Sequence, residues 1–245
     1  MKSITYSLLL LCLLSTGAHA ESLRLAVAAN FAYPLEQLVH AFDPHGLQDI
    51  RISTASTGVL YAQIRQGAPF DIFFAADRER PTRLEQEGYA LQGSRQTYAI
   101  GQLALWQPRE TPSSLSAIRP GRLAIANPKT APYGQAAREL LSANGLWSSV
   151  KPVQGTNIAQ AFQFVDSGNV DQGLVAVSLL LQRSVPARQW TRLPDTQHAP
   201  IEQQLVRLTP SRDNALADTF MRFLNSQEAR VLIRQYGYEV PHGTD

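Results

Sequence analysis

The chain has 245 residues, too many for one small module and suited to two lobes of roughly 100 residues each. Lys and Arg number 22 against 20 Asp and Glu, and the excess is spread thinly, which leaves no basic stripe for nucleic acid. The single cysteine is Cys12, so the chain beyond the N-terminal segment has neither disulfides nor thiolate metal sites.

The N-terminal segment reads as a cleaved secretory signal over residues 1–20. Lys2 precedes an apolar run from Leu8 to Leu14, and Ala18-His19-Ala20 has small-x-small form, with cleavage before Glu21. That run is well short of the roughly 20 residues a membrane span needs. Cys12 follows Leu10-Leu11 inside the apolar stretch, a poor place for lipidation. Nothing later is long and apolar enough to cross a bilayer, so an exported, periplasmic protein is expected.

Leu23 to Ala29 reads as a strand, and Asn30 follows it just before Leu35, Leu38, Val39 and Phe42, which recur at helical spacing. Asn30 is therefore expected as a polar cap at a strand-to-helix turn. Asp49 to Ser53 is the next strand. Thr54, Ser56, Thr57 and Gly58 then open a helix carried by Val59, Leu60, Ala62 and Ile64. Hydroxyls there can cap the unpaired N–H groups of the first turn, and those N–H groups with the helix dipole also make an anion site. Gly67 and Pro69 end the helix, and Phe70 to Ala76 is a buried strand. This is a βαβ unit with its polar turn at the carboxyl end of a strand, where open α/β sheets bind ligands.

Arg78 to Gly88 is a short charged helix, and Tyr98 to Trp106 a strand long enough to cross between lobes, followed by a connection around Pro108 and Pro112. A second series repeats the grammar. Arg122 to Ala126 is a strand, Asn127 to Gly134 a turn, Gln135 to Asn144 a helix. Val150 to Gln154, Gly155-Thr156-Asn157 and Ile158 to Val165 follow as strand, turn and helix, and Gly173 to Ser178 as a buried strand. Pro186 to Pro200 is polar and proline-rich. Gln203 to Leu208 is a returning strand, and two amphipathic helices, Asp213 to Asn225 and Gln227 to Tyr236, complete the chain. The lobes are taken as 21–100 plus 206–245 and 101–205.

Four turns thus join a strand end to a helix start: Asn30, Ser56-Thr57, Tyr133-Gly134 and Asn157-Ile158. In a two-lobed α/β protein they can face one cleft, where converging N–H and O–H donors favour an anion. Lys129 is the one basic residue near these turns. Neutral donors suit a fully deprotonated oxyanion, because an unpaired donor facing a ligand proton costs about 1–3 kcal/mol; this leans away from phosphate. Asp71 and Asp77 resemble paired catalytic carboxylates, but structural hydrogen bonding is the preferred reading. His40, His45, His198 and His242 show no metal spacing and are expected to be exposed. No G-x-S-x-G elbow, H-E-x-x-H, P-loop or reactive cysteine argues for an enzyme. No helix-turn-helix precedes the first strand.

Over nearly its whole length the chain resembles the periplasmic molybdate-binding proteins of ABC importers. The resemblance rests on AANF with PLEQL, ASTGVL, AQIRQGAPFDIFFAAD, GRLAIANP with APYG, and RQYGYEV. It implies a type II periplasmic binding protein fold, with two hinged α/β lobes, each a mixed, mostly parallel sheet flanked by helices, and the ligand in the interlobe cleft. Molybdate or tungstate is the implied cargo and the membrane subunits of an ABC permease the implied partner; a monomer without cofactor is expected. Carried over by position, the oxyanion contacts are Asn30, Ser56, Thr57, Tyr133 and Ile158, the last two through backbone N–H. Some members place a tyrosine where this chain has Ala176, and the Asn30 amide could supply the missing donor. Sulfate, ferric ion held by tyrosines and carboxylates, and an enzyme on the same scaffold are the alternatives.

Overall fold

The computed structural model describes residues 22–241; the expected signal sequence and His242 lie outside them. Two five-stranded sheets organise the chain. The first contains β1 (Ser22–Ala28), β2 (Asp49–Ala55), β3 (Ile72–Phe74), β4 (Gln96–Gly101) and β10 (Ile201–Arg207), in the order β2-β1-β3-β10-β4. The second contains β5 (Leu103–Trp106), β6 (Gly121–Ala126), β7 (Val150–Gly155), β8 (Gly173–Ala176) and β9 (Trp190–Arg192), in the order β7-β6-β8-β5-β9. In each sheet the first three strands in sequence to be joined by helices pair in parallel: β1 with β2 and β3, β6 with β7 and β8. The inserted strand, β10 or β5, runs antiparallel.

The helices are α1 (Ala32–Phe42), α2 (Thr57–Arg65), α3 (Glu79–Gln86), α4 (Pro132–Ala143), α5 (Ile158–Asp166), α6 (Val177–Gln182), α7 (Ala215–Leu224) and α8 (Gln227–Gln235). Central strands buried on both faces carry unbroken apolar runs, as Leu123 to Ala126 and Leu174 to Ala176 do, because helices cover both sides. Leu25, Val27, Phe31, Phe74 and Phe220 anchor one core of the first lobe, and Trp106, Leu140, Phe162 and Leu180 the core of the second. Ala28, Ala29 and Ala76 are strand-end residues of the first lobe that pack into the second lobe's core, so the carboxyl ends of β1 and β3 meet the other lobe directly.

Three expectations need correction. The long crossing strand is two strands in different sheets, β4 and β5, parted at Gln102; Gly101-Gln102 interrupts the apolar run there, but a glycine and one polar residue are also compatible with a single strand. The buried stretch from Gly173 ends as strand at Ala176, and Val177 begins α6, a helix too short and too apolar to show periodicity. The return strand β10 belongs to the first sheet from Ile201, several residues ahead of the boundary taken at 206, and its start is masked by the polar Glu202, Gln203 and Gln204. The end of the chain is tied to the edge strand of the first sheet near this crossing. Ile100 and Glu239 exchange backbone hydrogen bonds, N–H to carbonyl at 2.7 and 3.2 Å, beside the β4–β5 junction.

Candidate functional site

Ser56 takes the N-cap position of α2 with extended backbone, but its hydroxyl caps nothing. Its Oγ is buried and has no hydrogen-bond partner among the described residues. Next to it, Thr57 is 1% exposed, and its Oγ1 accepts the Ala76 N–H at 3.0 Å, which leaves the hydroxyl proton free to be donated. The reason for two hydroxyls in sequence is thus local: one receives a hydrogen bond from the neighbouring strand end, and the other is held buried with its bonding capacity unused.

In the second lobe the helix starts present backbone amides in place of hydroxyls. Pro132 is the first residue of α4 and has no N–H, so the first amide at that helix end belongs to Tyr133. Ile158 opens α5 behind the cap Asn157, whose Oδ1 accepts the Gln160 N–H at 2.9 Å. The Tyr133 and Ile158 amides fall in first turns, where no helical carbonyl precedes them. Their side chains are core residues, 1% and 3% exposed.

The two lobes are in contact at these turns. Gly58 N–H donates to the Thr130 carbonyl across the cleft at 2.9 Å, and Ala29 N–H to Ala55 O at 3.0 Å ties the turn after β1 to the turn after β2. Deeper in, a buried network joins the halves. The Asn30 Nδ2 donates to Gln203 Oε1 at 2.8 Å and to Tyr238 Oη at 3.0 Å. Tyr98 Oη lies 3.0 Å from Gln203 Oε1, and Gln203 Nε2 donates to Tyr133 Oη at 3.3 Å. The Asn30 carbonyl accepts from Tyr238 at 2.8 Å and from Ser178 of the second lobe at 3.0 Å.

Asn30 is therefore no helix cap; Phe31 holds that position in α1. Both protons of its amide have protein partners. The network is unlegible as such in sequence, because its members lie on β4, β10, α4, α6 and the chain's end. The one signal is Gln203, a fully buried amide at a register shift in β10, where a bulge re-aims the side chain. Gly101 belongs to the same junction: a Cβ there would collide with the Tyr133 phenol and the Gln203 amide.

The electrostatics are those of neutral donors. Burial pushes the Tyr98 and Tyr133 phenols well above the usual range and Tyr238 up to about 12, so all three remain protonated at ordinary pH. One cation does approach the rim. Arg80, overlooked in sequence, pairs with Asp77 and places its Nη2 3.4 Å from where a Cβ on Gly58 would stand. Burial raises the Asp77 carboxyl against the pull of Arg80, and the pair cancels in net charge. The Asp77-x-x-Arg80 spacing was the available signal. Asp71 is structural: it accepts the Arg24 N–H at 2.7 Å. His40 and His45 are exposed, but His198 is buried, with Nδ1 2.8 Å from the Ala199 carbonyl, in a segment whose polar composition suggested exposure. Among the described residues no cluster of His, Cys, Asp and Glu could hold a metal ion.

A two-lobed α/β architecture with helix starts facing a shared seam defines a class of ligand-capturing protein. The comparisons agree: residues 23–239 match the bacterial extracellular solute-binding protein family, and the chain belongs to it. Among its relatives, the molybdate-binding protein ModA of Azotobacter vinelandii is 39% identical, covering 92% of this chain and 93% of that protein. ModA of Rhodobacter capsulatus is 36% identical, with 92% and 91% covered. The solved structure of an Azotobacter vinelandii periplasmic molybdate-binding protein superposes with a TM-score of 0.82 at 33% identity, over 90% of this chain and 100% of that one.

Proposed function

We propose that this protein captures molybdate or tungstate from the periplasm and delivers it, as a monomer, to the membrane subunits of an ABC permease. The oxyanion sits between Ser56 and Thr57 on one side and the helix starts at Tyr133 and Ile158 on the other, with the Asn30 backbone N–H completing the ring. The observation that carries this reading is the Ser56 hydroxyl, buried with no partner in the described residues at the start of α2. Leaving such a group unpaired costs about 1–3 kcal/mol, and a ligand oxygen that accepts from it removes that cost. A dianion with four acceptor oxygens and no proton suits a ring made of donors alone. The 39% identity to a molybdate-binding relative supports the choice of anion.

Closure follows from the same geometry. A ligand that accepts from both lobes binds the closed form better than the open one, and the population shifts toward closure. The test is a thermal melt of the dialysed protein with molybdate, tungstate, sulfate or phosphate. At ~100 times its dissociation constant a ligand adds about 2.7 kcal/mol to stability. Molybdate and tungstate should raise the melting temperature and sulfate and phosphate should not; a curve unmoved by molybdate, or moved most by sulfate, ends this assignment.

A further inference from the structure

Gly58, the second residue of α2, has an N–H that would be a natural anion donor, yet it donates to the Thr130 carbonyl of the opposite lobe at 2.9 Å. Thr130 is presented by a turn that is itself held: Asn127 Oδ1 accepts the Lys129 N–H at 3.0 Å, and the Asn127 carbonyl accepts the Ala131 N–H at 2.9 Å. The φ of Gly58 is not positive, so its backbone conformation does not call for glycine. Inside a helix alanine has the better propensity. What calls for glycine is the other lobe. A Cβ at this position would stand 3.0 Å from Thr130 O and 3.1 Å from Thr130 Cα. Both are backbone atoms of the opposite lobe, so the turn that carries Thr130 has to draw back by a few tenths of an ångström.

We propose that Gly58 and the Thr130 carbonyl form an interlobe latch, a backbone hydrogen bond that holds the cleft shut beside the anion without touching it. The latch rests on the anion-binding reading of the same cleft. Its role is to set the closed fraction, and apparent affinity scales with that fraction. Release of the ligand requires the latch to open, so its loss acts mainly on the dissociation rate.

The prediction separates stability from affinity by sign. Gly58→Ala should leave the melting temperature of the ligand-free protein unchanged or higher, while the anion's dissociation constant rises on the order of tenfold, mostly through faster release. Gly58→Val should weaken binding further. Calorimetric titration and stopped-flow release with molybdate read both, on wild type and variants in parallel. An unchanged dissociation constant in folded Gly58→Ala overturns the latch, and so does a ligand-free melting temperature that falls in step with affinity. If wild type responds to none of molybdate, tungstate, sulfate and phosphate, the ligand reading falls by itself. The latch is then decided by hydrogen exchange of the Gly58 amide in the isolated protein: protection retains it, and exchange at the free-amide rate overturns it.

Discussion

The two lobes bring different chemistry to one cleft. The first lobe uses side chains: Ser56 with an unused buried hydroxyl and Thr57 with a proton still to donate. The second uses main chain: the first amides of α4 and α5, with the Tyr133 and Ile158 side chains turned into the core. On the proposed reading, residue identity at the first-lobe turn carries binding; at the second-lobe turns it carries packing, and substitutions there should change stability and leave binding almost alone.

That contrast orders the expected effects. Thr57→Val removes a donor to a charged ligand, worth about 1.5–3 kcal/mol, and affinity should fall roughly 10- to 150-fold. Thr57→Ser should stay near wild type. Titration with molybdate decides it, and a Val variant that binds normally would remove Thr57 from the site. Ser56→Ala should weaken binding by about tenfold while costing the ligand-free protein little, since the hydroxyl has no protein partner to lose. If stability drops and affinity does not, Ser56 is a structural residue.

The buried phenols give a pH signature. Tyr238 is held up to about 12 by burial, above its value of about 10 in an unfolded chain. Its neutral form is the one the fold prefers, so this stability is fully present below pH ~10 and is lost as pH rises through about 12. Tyr98 and Tyr133 shift in the same direction for the same reason. Denaturant titrations from pH 8 to 12 should show an alkaline fall that is shallower in Tyr238→Phe; parallel slopes would contradict the assignment.

The second-lobe substitutions should be milder. Tyr133→Phe keeps the backbone N–H and leaves the Gln203 amide short of a partner, costing about 1 kcal/mol of stability. Its molybdate affinity should remain within about twofold of wild type, allowing for a typical pairwise scatter of a few tenths of a kcal/mol. A large affinity loss would mean that the phenol itself shapes the closed cleft. Ile158→Val should cost about 0.5–1.5 kcal/mol in a melt and leave the titration curve in place; a shifted curve would show that the side chain lines the site.

How legible each half was follows from the same division. The hydroxyl turn stood out because Ser56 and Thr57 are polar residues ahead of an apolar-periodic helix, and strand, turn and helix could be read around them. Asn157 marked the start of α5 by its own local chemistry, whereas α4 begins at Pro132, inside the expected turn and ahead of the expected start at Gln135. Asn30 shows where such reading stops. An asparagine between a strand and a helix has the form of a cap, yet its amide reaches Gln203 and Tyr238, partners 173 and 208 residues away. No local pattern encodes contacts at that separation. Val177 is hidden for a related reason, since the change from strand to helix occurs inside an apolar run, and at Gly101-Gln102 a two-residue interruption does not say that the chain changes sheets.

The order of strands, polar turns and helices, and with it the proposal of neutral donors around an anion, came from the sequence alone, because caps, glycine stops and apolar spacing act over a few neighbouring residues. Which turns meet, how Asn30 spends its amide, and why residue 58 is glycine were decided only when two lobes were brought together. Those depend on atoms distant in the chain approaching to within about 3 Å, where hydrogen bonding and steric exclusion begin to act.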